Sequence, residues 1–155
     1  MQIYNQLDPK WSKEKIGKSG LRMGRWGCTV TAICMAASKF KPDDQLSVTP
    51  DVFLRQYAKF NSKGLIIWGN SRYPRMKFVK RVVGYPSQQV LSDCANNPDL
   101  TAVVEVDHYH WLALDKISTD NLFVFCDPWG GVRIQNFKKS RYKKITKYVI
   151  FERIK

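Results

Sequence analysis

The chain lacks the features that mark membrane-spanning and secreted proteins. Its 155 residues contain no run of eighteen apolar residues, so no transmembrane helix is expected. The first nine residues have neither the basic nor the apolar region of a secretory signal. We therefore expect synthesis in the cytoplasm without a signal peptide. In that setting the cysteines are expected to remain thiols rather than to form structural disulfides. The four cysteines are Cys28, Cys34, Cys94 and Cys126.

Metal-binding patterns are also missing. No two cysteines are spaced as C-x-x-C, and the only two histidines, His108 and His110, lie in one short segment. Structural zinc sites need four such ligands at recognisable spacings. The sequence therefore predicts no metal site, and nothing in it calls for a cofactor.

Acidic residues are few. The 13 Asp and Glu are outnumbered by 26 Lys and Arg, which gives a formal charge of +13. A charge of this size attracts polyanions, and nucleic acid, teichoic acid-bearing cell wall, acidic lipid and acidic protein all remain open as partners. The basic residues are concentrated near the C-terminus, as either a binding face or a solvated sheet edge. They are Arg133, Lys138, Lys139, Arg141, Lys143, Lys144, Lys147, Arg153 and Lys155.

The composition and the order of local patterns predict a single α+β domain over residues 1–155. The hydrophobic content of 44% is typical of a folded globule, and no linker or repeat interrupts the chain. Helices followed by strands indicate N-terminal helices packed on a C-terminal antiparallel sheet of about five strands. We predict an extended arm and loop over 1–27, helices at 28 to about 40, 49–64 and 86–97, and strands at 101–106, 109–114, 121–126, 132–137 and 147–154. Residues 65–68 are a candidate short strand, and 78–83 fit either a helix or a strand.

Cys28 stands at the junction between a glycine-rich loop and the first helix. Apolar residues recur at helical spacing from Val30 onward, so the helix is predicted to begin at or just after Cys28. The unpaired N–H groups and the positive dipole end of a helix favour a thiolate over a thiol. Cys28 is therefore a candidate nucleophile, and the alternative is a small buried cysteine beside a tight turn.

A thiolate nucleophile needs a base, and the base needs a group that orients it. His108 and His110 are two residues apart at the start of one predicted strand, and His110 precedes the apolar run 111–114. Asp127 ends the next strand, so its carboxylate meets the imidazole of His110 if the two strands pair. The alternatives are an ordinary surface or packing histidine and a plain Asp-Pro turn.

Four segments carry a family resemblance. They are Gln6-Leu7-Asp8-Pro9-Lys10-Trp11, Gly24 with Gly27-Cys28, His110-Trp111-Leu112 and Asp127-Pro128-Trp129-Gly130-Gly131. In this order, and over nearly the whole chain, they resemble the papain-like cysteine peptidases. Within them the chain is similar to the stand-alone branch of the bacteriocin-leader (double-glycine, C39-like) peptidases.

The resemblance implies a role for each of four residues. Cys28 would be the nucleophile, His110 the general base and acid, Asp127 the residue that orients the imidazole, and Gln6 a side-chain donor to the oxyanion. Two features depart from the leader peptidases: Thr29 follows the cysteine where glycine is usual, and the sequence contains no transporter. Leader processing during export is therefore not expected.

The function expected from this resemblance is a cysteine peptidase or amidase. Small basic members of this type resemble the catalytic modules of phage and bacterial cell-wall lysins. That similarity implies peptidoglycan as substrate, anionic wall polymers as partners of the basic C-terminal region, and a location in a virion or at the cell wall. Trp26, Trp111 and Trp129 flank the triad and are expected to wall its cleft. The alternatives are a protein-processing cysteine protease and a basic polyanion-binding module with a structural cysteine.

Overall fold

Helices precede most of the sheet along the chain in a computed structural model, which describes residues 1–42 and 47–155. Its helices are α1 (Met23–Trp26), α2 (Cys28–Ala37), α3 (Pro50–Gln56) and α4 (Gln88–Asn96), with short 3-10 helices at Ser38–Phe40 and Phe137–Lys139. The strands are β1 (Met76–Val83), β2 (Leu100–Val106), β3 (His110–Ile117), β4 (Phe123–Asp127), β5 (Val132–Ile134) and β6 (Ile145–Arg153). The predicted α+β class is confirmed.

The strands form one antiparallel sheet in the order β1-β6-β2-β3-β4-β5. The sheet has six strands where the sequence predicted about five, because the ambiguous stretch 78–83 belongs to β1. This strand lies at the edge beside β6 and is irregular between Phe78 and Lys80. The irregularity interrupts the alternation of apolar and polar residues, so the sequence pattern did not distinguish a strand from a helix.

The helix predictions hold best at the N-terminal ends. Helix α2 begins at Cys28 as predicted, and Ser87 caps α4 by accepting a hydrogen bond from the backbone N–H of Val90 at 3.2 Å. Helix α3 ends at Gln56, well before residue 64, because the following chain turns back and Phe60 forms an isolated bridge with Ile66. That bridge is all that forms at the candidate strand 65–68.

The arm predicted over residues 1–27 contains a helix that the sequence did not indicate. Helix α1 has only four residues, which is too short for a periodic pattern to reveal.

Each face of the sheet carries its own apolar core. Helix α2 packs against the face that carries Val103, Trp111, Ala113, Cys126, Val149 and Phe151. Helix α4 covers the opposite face, which carries Val104, Leu112, Leu114, Phe125 and Ile150. Successive strand residues alternate between the two cores, as the period of two requires.

A tight turn fixes the position of His110. Asp107 and His108 have left-handed φ values of 52° and 65°, and the N–H of Tyr109 donates to the carbonyl of Val106 at 3.2 Å, which closes the turn. His108 therefore lies in the turn between β2 and β3, on the loop side of His110. The strand itself begins at His110.

Candidate active site

Cys28 is the first residue of α2 and is held there by a close helix-to-helix junction. A Cβ atom at Gly27 would lie 2.5 Å from the carbonyl oxygen of Met23, so only glycine fits between α1 and α2. Thr31 donates its hydroxyl to the carbonyl of Gly27 at 2.8 Å and secures the first turn. The cysteine is 8% exposed, at the border between core and cleft.

His110 and Asp127 meet across two neighbouring strands. Ala113 of β3 pairs with Cys126 of β4, which places Asp127 diagonally across from His110. The imidazole Nε2 and the carboxylate Oδ1 lie 2.7 Å apart, and both side chains are buried. Cys28 also interacts with the imidazole, because it contributes to the raised pKa of His110.

The imidazole is held in its charged form. Burial alone would lower the pKa of His110, but the hydrogen bonds and negative charges of Asp127 and Cys28 raise that pKa from 6.5 to about 9. A protonated imidazole therefore stands between the carboxylate and the sulfur at neutral pH.

Asp127 is ionised despite its burial. Burial would raise its pKa, but hydrogen bonds from His110, from the hydroxyl of Tyr142 at 2.7 Å and from the backbone N–H of Trp129 at 2.8 Å lower it below its ordinary value. The carboxylate is thus fixed on both oxygens, which orients the imidazole.

Tyr142 is a site residue that the sequence did not reveal. Its ring stacks on the imidazole of His110, with centroids 5.4 Å apart and planes inclined by 16°. Arg141 donates to the hydroxyl of Tyr142 at 2.7 Å and lies 3.7 Å from Oδ2 of Asp127. Both residues belong to the basic segment before β6, where only the charge pattern stands out. Their spacing from the other site residues carries no signal.

Gln6 lies between the loop before α1 and the turn after β4. Its backbone N–H donates to the carbonyl of Pro128 at 2.9 Å, and its side-chain Nε2 donates to the carbonyl of Gly24 at 3.1 Å. The side chain is 1% exposed, and its Oε1 has no hydrogen-bond partner among the described residues. A primary amide carries two N–H donors, so one remains after Gly24 is satisfied. The oxyanion role of Gln6 stays a prediction.

The other three cysteines have no comparable partner. All four are free thiols, but burial raises the pKa of Cys94 and of Cys126 to about 11 and that of Cys34 well above its ordinary value. These three thiols stay protonated at neutral pH. Among the four cysteines, Cys28 is the one that contributes to the raised pKa of His110.

A cleft of about 620 Å³ opens beside Cys28. Its walls are the start of α2, one end of the sheet and the loop between α3 and β1. Trp26 and Trp111 line it as expected, whereas Trp129 does not; Trp68 takes part instead, with its ring centroid 5.2 Å from that of Trp111.

The loop that carries Trp68 belongs to the stretch 41–85, for which the sequence left open a role as a lid. Residues 60–68 of that stretch supply one wall of the cleft. Residues 43–46 lie outside the described part, so that section of the stretch carries no structural interpretation.

Within residues 1–42 and 47–155, no group of three or more His, Cys, Asp or Glu side chains is arranged to hold a metal ion. The helices described here include none with the length and apolar character needed to cross a membrane.

Comparison of the chain with family models, with curated proteins and with solved structures yields no match. The resemblance to papain-like peptidases thus rests on the four sequence segments. Those segments supply Gln6, Cys28, His110 and Asp127, which lie around one end of the sheet.

Proposed function

We propose that the chain is a papain-like cysteine peptidase or amidase that hydrolyses amide bonds through Cys28, His110 and Asp127. The observation that carries the proposal is the position of His110, whose Nε2 lies 2.7 Å from Oδ1 of Asp127 and whose pKa is raised by both Asp127 and Cys28. A nucleophile, a base and an orienting group in this order are the recurring requirement of thiol-based acyl transfer. The placement of Cys28 at the start of a helix that packs on an antiparallel sheet supports the same interpretation.

The reaction follows from the residue positions. The Cys28 thiolate attacks the carbonyl carbon, and the carbonyl π electrons move to the oxygen. The backbone N–H of Cys28 and the side-chain amide of Gln6 would stabilise this oxyanion, each donor contributing about 3–4 kcal/mol. His110 gives its proton to the leaving amine as the C–N bond breaks and a thioester forms. His110 then takes a proton from water, which attacks the thioester and releases Cys28.

Peptide cross-links of peptidoglycan are the proposed substrate. The charge of +13 favours binding to anionic wall polymers. Four exposed lysines near Tyr142 bring part of that charge close to the site: Lys138, Lys139, Lys143 and Lys144. The same lysines are the observation that favours the second candidate, a polyanion-binding module.

Digestion of purified peptidoglycan tests the proposal. We expect soluble peptide fragments whose new amino and carboxyl ends appear in the mass spectrum, and no fragments with Cys28→Ala. Release of fragments by the Cys28→Ala variant would contradict the enzyme proposal. Cleavage of protein substrates without cleavage of peptidoglycan would instead support a protein-processing protease.

The binding alternative predicts a separate result. If the chain only binds polyanions, teichoic acid or DNA should bind equally to the native protein and to Cys28→Ala, and neither protein should hydrolyse any amide. Turnover that is lost in Cys28→Ala while binding persists would show that charge and chemistry are separate properties of one protein.

A further inference from the structure

Charged side chains lie on the floor of the cleft that begins at Cys28. Glu105 of β2 pairs in register with Trp111 of β3 and with Lys147 of β6. Arg81 of β1 pairs with Val149, two residues from Lys147 on the same face of β6. All of these side chains therefore belong to the sheet face that packs against α2.

Glu105 and Lys147 form a hydrogen-bonded ion pair. Oε1 of the buried Glu105 accepts a hydrogen bond from Nζ of Lys147 at 2.8 Å and another from the hydroxyl of Thr146 at 2.9 Å. A carboxylate paired in this way neutralises the adjacent ammonium. This pair consequently adds little net charge to the cleft floor.

Arg81 differs from Lys147 in having no such partner. Its side chain is exposed and lines the same cleft as Cys28. No acidic side chain among the residues that the structure describes forms an ion pair with its guanidinium, and Arg81 makes no hydrogen bond that would occupy its donors. A guanidinium presents paired N–H donors that fit a carboxylate, so an unpaired one in a substrate cleft is suited to an anionic group of the ligand.

Apolar side chains line the same cleft as the nucleophile and this cation. Trp111 and Trp68 form an aromatic wall, and Leu65, which is 61% exposed, also lines the cleft. A peptide in the cleft could therefore contact the sulfur of Cys28, an apolar wall and a guanidinium, with the Glu105–Lys147 pair on the strands between Trp111 and Arg81.

Resting on the proposed function, we infer that Arg81 is a specificity-determining residue that binds a carboxylate of the substrate peptide at a site separate from the scissile bond. The carboxylate belongs either to an acidic side chain or to the end of the peptide chain. The aromatic wall would contact the aliphatic part of the residue between that carboxylate and the scissile amide. The substrate class is thus acidic peptides, not basic ones.

Matched peptides distinguish the two sources of the carboxylate. The probe is a library of N-acetylated peptides that carry Glu or Gln at one varied position, each with a free or an amidated C-terminus. For the native protein we expect kcat/KM to be about tenfold higher for one acidic form than for its amide counterpart, mainly through KM. A preference for Glu over Gln identifies a side-chain carboxylate, and a preference for the free C-terminus identifies a chain end.

Arg81→Gln should abolish this preference, so that kcat/KM for the acidic peptide falls to that for its neutral counterpart. The matched control is Lys80→Gln, because Lys80 is the neighbouring exposed cation, its partner Ile150 belongs to the opposite core, and the charge change is the same. Equal kcat/KM of the native protein for acidic and neutral peptides would overturn the inference. So would a loss of preference in Lys80→Gln equal to that in Arg81→Gln.

Affinity measurements distinguish a failure of this inference from a failure of the proposed function. Affinities of the same peptides for Cys28→Ala, with and without Arg81→Gln, are measured by fluorescence anisotropy. If no peptide is cleaved but the acidic forms bind about tenfold more tightly only when Arg81 is present, the peptidase proposal fails and the carboxylate site stands. Equal binding of acidic and neutral peptides contradicts the carboxylate site whatever the cleavage result.

Discussion

Helix α2 presents the same side chain in two different chemical settings. Cys28 and Cys34 are six residues apart, and both are buried, with 8% and 1% of their surface exposed. Cys28 borders the cleft and contributes to the raised pKa of His110, whereas Cys34 is enclosed in the apolar core, where burial raises its own pKa well above the ordinary value. The comparison shows that the partner and the opening to solvent, rather than the cysteine or the helix, distinguish a candidate nucleophile from a packing residue.

Replacing each of the two cysteines by alanine gives the largest expected difference in catalytic activity. Cys28→Ala should lower kcat/KM on a cleaved peptide by about 10⁴-fold or more, because the nucleophile is lost. Cys34→Ala should keep the native kcat/KM and instead lower the free energy of unfolding, since it leaves a small cavity in the core. Steady-state kinetics and urea unfolding of both variants measure the two effects. Equal loss of activity in both variants would show that α2 stability, and not the sulfur of Cys28, is what the assay reports.

Substitution of Gln6 is expected to have the next largest effect on catalysis. Gln6→Met keeps a side chain of similar length without N–H donors, so kcat should fall by about 10²–10³-fold if the amide holds the oxyanion. KM should change little, because the interaction is made in the transition state. The bond from Gln6 to Gly24 is lost as well, so the melting temperature is measured alongside the kinetics. Native kcat in a folded Gln6→Met would remove Gln6 from the mechanism.

Tyr142 should act through Asp127 and His110. Tyr142→Phe retains the ring that stacks on His110 but removes the hydroxyl that donates to Asp127 at 2.7 Å. We expect kcat to fall about tenfold, because a hydrogen bond to a charged group contributes about 1.5–3 kcal/mol. The pH profile of kcat should shift with it, since the carboxylate that fixes the pKa of His110 is altered. An unchanged pH profile would limit Tyr142 to packing.

The charge of His110 predicts a smaller, pH-dependent effect on stability. Its pKa is raised from 6.5 to about 9 on folding, so the folded state binds the proton more tightly than the unfolded state. The stabilisation is complete below pH 6.5 and is lost as the pH rises to about 9. The free energy of unfolding should fall over this range in the native protein and stay flatter in His110→Gln. A parallel fall in both proteins would assign the effect to other groups.

The parts of the fold that the sequence predicted are those fixed by local pattern. The start of α2 at Cys28 and the start of α4 next to Ser87 depend on residues that are neighbours in sequence. The length of α3 was overestimated because its apolar spacing continues past Gln56, where the chain turns back under tertiary contacts.

The site residues that could be predicted are likewise those on segments that are close in sequence. His110 and Asp127 could be paired in advance because they lie on consecutive strands of one hairpin. Tyr142 and Arg81 could not, because Tyr142 reaches His110 from the loop before β6 and Arg81 reaches the cleft through the register of β1 with β6, and no local pattern specifies either position.

Site-resolved alkylation tests the central claim most directly. The protein is treated briefly with iodoacetamide at a pH below 7, digested, and the modified cysteines are identified by mass spectrometry. We predict rapid modification of Cys28 that is lost in His110→Ala, with Cys34, Cys94 and Cys126 unmodified until the protein unfolds. Slow modification of Cys28, at the rate of the other three thiols, would contradict the account.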